Sequence, residues 1–214
     1  MLKLAAGLML CVPAALQAQP TPERAFVEGE DGVLVHQASG FRFPQEVAGF
    51  VRSDTADLAG SGEYVGVKYS RPLSTDGTLT LRAAVVRIPG LSPEAHYTIT
   101  KPVVMESLAD SRPVAEGPYE RIEGSAGYRG VFTGSFEGNP WMRGLWTFER
   151  GEWDLRIRAD VPRIDLIQAD EAMEDFVSAL NAGSSLVAAS PSNPVEDDAV
   201  ADPASAAIRP PEDR

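Results

Sequence analysis

Disulfide and thiol chemistry are almost excluded by the composition of this sequence. Its 214 residues include a single cysteine, Cys11. One cysteine supports neither an internal disulfide nor a two-cysteine metal or redox motif. We therefore expect core packing to supply the stability of the fold.

Long hydrophobic runs and an excess of positive charge are also missing. After the first 20 residues, no segment approaches the ~20 apolar residues of a membrane helix, so no transmembrane span is expected in the mature chain. The net charge of −12 gives no basic footprint for nucleic acid or for anionic lipid surfaces. We expect no nucleic-acid partner.

The usual signatures of catalysis are lacking as well. The serines of Gly124–Gly127 and Gly134–Gly138 have no glycine two places before them, as a nucleophile elbow requires. In Gly60–Gly66 the third glycine is one place late for a dinucleotide-binding loop, and a strand follows instead of a helix. His36 and His96 lack nearby paired carboxylates and are interpreted as structural or surface residues. We assign no catalytic, metal-binding or cofactor-binding residue and expect no cofactor.

A strand and a helix near the C-terminal end are the clearest elements that are present. In Trp153–Val161, apolar residues alternate with charged ones, as in a strand with one buried and one solvated face. Arg150-Gly151 is predicted to be the centre of the hairpin turn before this strand. Ala169–Leu180 has apolar residues at helical spacing, with Asp165 as the predicted N-cap and Gly183 as the predicted stop. This helix is expected to cover the apolar face of the strand.

The charged face of that strand is the most informative polar cluster. It carries Asp154, Arg156, Arg158 and Asp160, and Arg143 and Arg150 of the preceding strand are candidates to join it. We favour a face stabilised by cross-strand charge pairs, either solvated or covered by a helix. The alternative is an anion-binding or partner-docking surface, because arginine recognises carboxylates and phosphates through paired hydrogen bonds.

The remaining pattern predicts an α+β domain. A helix is predicted to begin at Ser92-Pro93, to be interrupted at Pro102 by a kink or by a division into two short pieces, and to reach Asp110. The predicted fold is a curved antiparallel β-sheet covered by this interrupted middle helix and by the C-terminal helix. The other predicted strands are Val33–His36, Phe50–Arg52, Glu63–Arg71, Thr78–Pro89, Tyr119–Gly124 and Tyr128–Phe136.

The two ends of the chain are expected to lie outside this domain. Residues 1–18 have the pattern of a cleaved signal peptide, with Lys3 ahead of an apolar run and Ala18 at the preferred cleavage site. Residues 19–32 are predicted to be a flexible lead-in, 33–182 a single α+β domain, and 183–214 a disordered acidic tail. These features predict a periplasmic or secreted protein.

Three segments carry a resemblance to known sequences: GFRFPQEVAGFVR, EYVGVKYSR and WDLRIRADVPRIDLIQADEAMEDFVSAL. Between Gly40 and Ala182 the chain resembles a group of uncharacterised secreted bacterial proteins, although Ala48 stands where that group usually has glycine. The order of elements is also similar to that of the PsbP-like α/β/α sandwiches, in which helices cover an antiparallel sheet. The resemblance implies a fold and carries no functional residue.

The sequence thus predicts a non-catalytic periplasmic or secreted binding or accessory module, whose partner is an unknown small molecule or envelope protein. One alternative is a hydrolytic enzyme that uses the carboxylates of Glu120 and Glu123, or of Asp154 and Asp160. The second pair would lie about 20 Å apart along the strand, too far for a shared reaction. Another alternative is an envelope protein with a lipid anchor on Cys11.

Overall fold

A computed structural model describes residues 25–29, 31–73, 77–120, 126–162 and 166–185. These residues form eleven strands and two helices. In chain order the elements are β1 (Phe26–Glu28), β2 (Leu34–His36), β3 (Arg42–Phe43), β4 (Glu46–Val47), β5 (Phe50–Asp57), β6 (Tyr64–Pro72), β7 (Thr78–Arg87), α1 (Pro93–Glu106), β8 (Ala109–Tyr119), β9 (Gly127–Phe136), β10 (Asn139–Arg150), β11 (Trp153–Pro162) and α2 (Leu166–Ser185).

An eight-stranded antiparallel sheet organises the described residues. Its strand order is β4-β5-β6-β7-β11-β10-β9-β8, and β1, β2 and β3 form a separate three-stranded sheet. Helix α1 contacts β8, β9 and β10, whereas α2 contacts β11, β3 and β4. The predicted α+β class, with helices on an antiparallel sheet, is confirmed.

The two helices lie on opposite faces of the large sheet, and successive side chains of β11 point alternately toward α2 and toward α1. Leu155 and Ile157 are fully buried and belong to one hydrophobic cluster with Phe176 of α2. Asp154, which points the other way, contacts His96 of α1 at 2.9 Å. The main core therefore lies between the sheet and α2.

Aromatic rings fill this core. The Phe176 ring meets those of Phe50 and Tyr69 edge-on, with centroid separations of 5.1 and 5.0 Å. Trp146 of β10 is fully buried in the same cluster. Edge-to-face pairs stabilise a core beyond the area that they bury. The predicted packing of the C-terminal helix on the apolar face of the last strand is confirmed.

A buried carboxylate also fixes α2 to the sheet. Glu174 accepts a hydrogen bond from the Tyr119 hydroxyl at 2.5 Å and pairs with Arg129 at 2.7 Å. The Arg129 guanidinium in turn lies over the Trp146 ring, 5.6 Å from its centroid. A buried charge is tolerated only where it is paired and hydrogen-bonded, so this network favours one position of α2.

Helix α1 begins as predicted but continues further than expected in one piece. The Ser92 hydroxyl caps it by accepting a hydrogen bond from the Ala95 amide at 3.2 Å, and Pro93 follows in the first turn. The division into two pieces at Pro102 is absent, and the helix ends at Glu106, before Asp110. Pro102 removes one hydrogen-bond donor, but buried residues on both sides of it hold the helix on the sheet; these include Tyr97 and Val104.

The strand that follows α1 was not predicted from the sequence. Its residues include Pro113 and Pro118, and prolines argue against a central strand. The structure places this strand, β8, at the edge of the sheet, where a missing amide hydrogen is tolerated. The strand predicted from Tyr119 to Gly124 is wrong at Glu120, because β8 ends at Tyr119; residues 121–124 lie outside the described residues.

The predicted hairpin between β10 and β11 is confirmed with its centre one residue later. Arg150 pairs with Trp153, so the turn residues are Gly151 and Glu152. Gly151 has a φ of 66°, a left-handed conformation that glycine adopts without steric cost.

The ends of the described region differ from the predictions. Within the segment expected to be a flexible lead-in, Phe26 pairs with His36 and is only 7% exposed. Its ring lies 6.1 Å from that of Phe43, so an apolar contact overrides the polar surroundings. At the other end, α2 continues past Gly183, the predicted stop, to Ser185. The predicted cap Asp165 and residues 1–18 and 186–214 lie outside the described residues.

The close approach of α1 to β9 can be tested at Gly130. A Cβ atom at this position would overlap the Tyr97 ring. We expect Gly130→Ala to displace Tyr97 and to lower the free energy of unfolding by about 1–3 kcal/mol in urea denaturation. Gly117→Ala on β8 is the matched control, because a Cβ there meets no atom within 4 Å. Equal losses in the two variants would contradict the packing of α1 described here.

Candidate functional site

Helix α1 covers only part of its face of the sheet, and a groove of about 630 Å³ opens beside it. The floor is formed by β5, β6, β7 and β11, and one wall by α1. The volume lies within the roughly 300–1,000 Å³ of small-molecule sites. This basic groove is lined by Asp54, Thr55, Ala56, Leu58, Tyr64, Gly66, Val67, Lys68, Arg82, Ala83, Ala84, Ile99, Thr100, Val103, Val104, Leu145, Arg156 and Arg158.

Three cations stand side by side on the floor of the basic groove. In the strand register Lys68 of β6 lies opposite Arg82 of β7, and Arg82 lies opposite Arg158 of β11. Opposite residues in an antiparallel pair have Cβ atoms about 4.5–5.5 Å apart. This cation row (Lys68, Arg82, Arg158) ends at Asp54 of β5 on one side and at Leu145 of β10 on the other.

The cation row is only weakly neutralised within the protein. Arg158 pairs with Asp160 at 3.2 Å, but the same carboxylate oxygen also pairs with Arg143 at 2.6 Å. In the part of the chain that the structure describes, the side chains of Lys68 and Arg82 make no hydrogen bond or ion pair. Like charges directly opposite one another destabilise a sheet, so the row costs the fold stability.

Arg143, behind the row, serves the fold. Burial lowers the pKa of Arg143; the carboxylate of Asp160 opposes this effect, and the positive charges of Arg158 and Arg82 lower the pKa further. Arg143 is 5% exposed and donates a hydrogen bond to the Val104 carbonyl at 3.2 Å. It therefore ties the last turns of α1 to the sheet.

The wall formed by α1 is apolar and open to solvent. Ile99 and Val103, one turn apart, are 65% and 62% exposed, and Leu58 on the far side of the groove is 52% exposed. Beneath them, Val104 and Leu145 are buried in a small hydrophobic cluster of their own. Seven large hydrophobic side chains are exposed among the described residues, and these three line the groove. The groove thus brings together three of these seven side chains, including Ile99, the most exposed of them.

Small residues give the groove its depth. Ala56, Gly66 and Ala84 lie opposite one another on β5, β6 and β7, and Arg156 of β11 completes that row. The Arg156 guanidinium lies 5.3 Å from the centroid of the Tyr64 ring and donates a hydrogen bond to its hydroxyl. Arg156 is therefore held at the border of the groove by Tyr64, whereas Arg82 faces solvent.

The structure divides the predicted charged face of β11 among different surroundings. Arg156 and Arg158 line the basic groove. Asp160 is engaged by arginines, and Asp154 is buried beneath α1 at 1% exposure. The favoured interpretation, charge pairs on a face that is partly covered by a helix, thus holds for Asp154 and Asp160. The anion-binding or partner-docking alternative stays a prediction.

The other candidates from the sequence lie away from the groove. Arg150 is on the opposite face of the sheet, where it donates a hydrogen bond to the Asn181 carbonyl of α2 at 3.2 Å. The expectation that it joins the charged face is wrong, because an even-numbered residue of β10 points toward α2. Glu120 is exposed after β8, and Glu123 lies outside the described residues.

His96 and Asp154 form a buried pair that was not predicted. Nδ1 of His96 lies 2.9 Å from Oδ2 of Asp154, and the two residues are 5% and 1% exposed. Next to them, the Thr147 hydroxyl donates a hydrogen bond to the Pro93 carbonyl at 2.8 Å. These contacts position the first turns of α1 and thereby the wall of the groove. The partners are 58 residues apart in sequence, so no local pattern signals the pair.

The pair does not extend into a catalytic triad within the described residues. A triad needs a nucleophilic hydroxyl or thiol hydrogen-bonded to the second ring nitrogen of the histidine. Among the described residues, the His96 ring makes a hydrogen bond only to Asp154. The observed contact fixes the first turns of α1 on the sheet.

His36 is also engaged by the fold. Its Nε2 donates to the Gly62 carbonyl at 2.8 Å, which leaves Nδ1 to accept from the Ser39 hydroxyl at 2.7 Å. Burial lowers the pKa of His36, while the hydrogen bond to Gly62 and the charge of Asp57 oppose this effect. A neutral ring therefore links β2 to the loop between β5 and β6.

The described ranges contain neither a potential metal site nor a membrane-spanning helix. No three His, Asp, Glu or Cys side chains there come together as a potential metal site. Neither described helix combines the length and the hydrophobicity that crossing a bilayer requires.

Comparisons with known proteins find only distant similarity. No family model and no curated protein matches the sequence. Among 18 similar solved chains is PA94 of Pseudomonas aeruginosa, a protein of unknown function, with a TM-score of 0.46 and 15% identity over 68% of this chain and 92% of that one. LpqN of Mycobacterium tuberculosis, involved in cell envelope biogenesis, has a TM-score of 0.42 and 13% identity over 60% of this chain and 75% of that one.

A third similar structure is the Ran-binding protein Mog1p of Saccharomyces cerevisiae, with a TM-score of 0.35 and 10% identity over 65% of this chain and 92% of that one. At these TM-scores the similarities carry no argument about function. The resemblance to secreted bacterial proteins and to PsbP-like sandwiches stays a prediction.

The buried pair under α1 can be tested by removing its acceptor. Asp154→Ala leaves the His96 Nδ1–H without a partner in a buried site, so we expect a loss of about 1–3 kcal/mol in the free energy of unfolding. Glu149→Ala, at the exposed position opposite Asp154, should stay within about 0.5 kcal/mol of the wild type. A double-mutant cycle with His96→Ala checks the contact, and a coupling energy of zero would exclude it.

The lowered pKa of His36 predicts a pH dependence of stability. Its ordinary value is 6.5, so the unfolded chain binds a proton more readily than the folded one below about that pH. The contribution of the neutral ring is fully present above pH 6.5 and is lost as the pH falls toward the folded pKa. His36→Gln should therefore lose less stability than the wild type between about pH 7.5 and 5.5 in urea denaturation. A variant with the same or a steeper loss would show that His36 is not the group responsible.

Proposed function

We propose that this protein is an exported, non-catalytic binding module that holds an anionic small molecule in the basic groove. The cation row carries the proposal: three positive side chains lie opposite one another on adjacent strands of a protein with a net charge of −12. Such a row is unfavourable for the fold alone. A bound anion would turn the repulsion into attraction.

The chemistry of the row suits an anionic group. Arg82 and Arg158 each present guanidinium donors that match carboxylate or phosphate oxygens, and Lys68 adds a point charge. A cleft lined by one sign of charge concentrates the field and attracts ligands of the opposite sign. The charged residues that line the groove are four cations and one carboxylate, Asp54.

Export is the second part of the proposal. It is supported by the signal-peptide pattern of residues 1–18 and by the absence of any cysteine after Cys11. A chain without thiols is suited to an oxidising compartment because it has none to mispair.

The carboxylate-enzyme alternative is less well supported. Asp154 is engaged by His96, and Asp160 by Arg143 and Arg158. A general acid or base needs a carboxylate that can reach the substrate, and these two contacts leave neither group directed into the groove.

The proposal predicts that the cation row binds an anionic probe. We expect 8-anilinonaphthalene-1-sulfonate to bind the wild type with an affinity that falls as salt rises, since exposed charges are screened. Replacing both guanidinium groups in Arg82→Gln/Arg158→Gln should weaken the fluorescence-measured Kd at least about tenfold, because a hydrogen bond to a charged group contributes about 1.5–3 kcal/mol. Arg112→Gln is the matched control, since Arg112 is an exposed arginine of β8 outside the groove.

Stability distinguishes lost binding from lost folding in this experiment. The double variant removes facing like charges, so its free energy of unfolding should equal or exceed that of the wild type. Unchanged affinity in a folded double variant would refute the assignment of the cation row as the binding site.

A further inference from the structure

We infer that the ligand of the basic groove is a single-chain anionic amphiphile, with its carboxylate or phosphate on the cation row and its alkyl chain against Ile99 and Val103 of α1. This inference rests on the proposed function and adds the chemical class and orientation of the ligand. The observation behind this inference is that the cation row ends directly at an exposed apolar wall.

The strand register indicates how the ligand is oriented in the basic groove. Along the row, Lys68, Arg82 and Arg158 are followed by Leu145 on β10. Leu145 is fully buried and packs with Val104 of α1. The floor therefore changes from charged to apolar within one strand spacing, which is about 4.8 Å. A ligand lying across the strands meets charge first and hydrocarbon second.

The apolar end has surface that the fold itself leaves exposed to water. Ile99 and Val103 are more than half exposed and adjacent on α1, and Leu58 faces them from the other side. Burying such side chains under an alkyl chain is favourable at about 25 cal/mol per Å² of apolar area. Ala56, Gly66 and Ala84 add little side-chain bulk to the floor between these walls, and Leu58 packs over Gly66.

Other anionic ligands fit this site less well. A small inorganic anion would leave Ile99 and Val103 in water. An acidic peptide brings several charges, but the row ends at Asp54 on one side and at the buried Leu145 on the other. One compact negative head group with an apolar chain uses both parts of the groove.

The inference is tested with hexanoate, octanoate and decanoate at concentrations below micelle formation. In isothermal titration we expect the Kd for the wild type to improve by about two- to fourfold for each added methylene, given about 0.8 kcal/mol for a fully buried one. Ile99→Ser/Val103→Ser should flatten this dependence and leave the free energy of unfolding within about 0.5 kcal/mol of the wild type, since both side chains are more than half exposed. The matched control Val114→Ser removes an equally exposed valine from β8, outside the groove, and should leave the dependence intact.

The orientation has its own readout. Decanoate analogues with a nitroxide at the chain end should broaden the methyl NMR signals of Ile99 and Val103 more than the side-chain signals of Lys68. Decylammonium, with the opposite charge, should bind at least about tenfold more weakly than decanoate, since it loses at least one charged hydrogen bond.

The outcomes separate the inference from the proposed function. If affinity does not depend on chain length, or if tetraglutamate binds more tightly than decanoate, while Arg82→Gln/Arg158→Gln still abolishes anion binding, the amphiphile is wrong and the anion site stands. If neither the sulfonate probe nor any alkyl carboxylate depends on the cation row, both are wrong.

Discussion

The alternation of β11 between apolar and charged side chains is the constraint on which the rest of the structure depends. Ile157 is buried toward α2, and its neighbours Arg156 and Arg158 must then point to the other face. A shift of one residue in register would exchange the two faces completely. The core under α2 and the charges of the groove therefore depend on the same strand register, and a slip of that register would disrupt both.

The fold could be predicted where local patterns agree with tertiary packing. The hairpin at Gly151, the strand after it and the helix with Phe176 all follow from spacing that repeats within a short segment. The prediction failed where long-range packing overrode local chemistry. Pro102 did not interrupt α1, because residues on both sides of it pack on the sheet, and β8 tolerates its prolines because it lies at an edge.

The candidate site was predictable only in part for a similar reason. Arg156 and Arg158 stood out because they alternate with apolar residues in one strand. Lys68 and Arg82 did not, since their relation to Arg158 exists only once three strands are aligned in register. The pair of His96 and Asp154 depends on where a helix crosses the sheet. Periodicity in a sequence determines which face a side chain occupies but not which neighbour it meets there.

The margins of the large sheet have a consequence for self-association. At one margin β4 contains only two residues, and at the other Pro113 and Pro118 offer no amide hydrogen to an approaching backbone. Growth of amyloid-like fibrils by adding strands from further copies requires a long run of unsatisfied donors and acceptors. Neither margin provides one, so this sheet is a poor seed for such polymers.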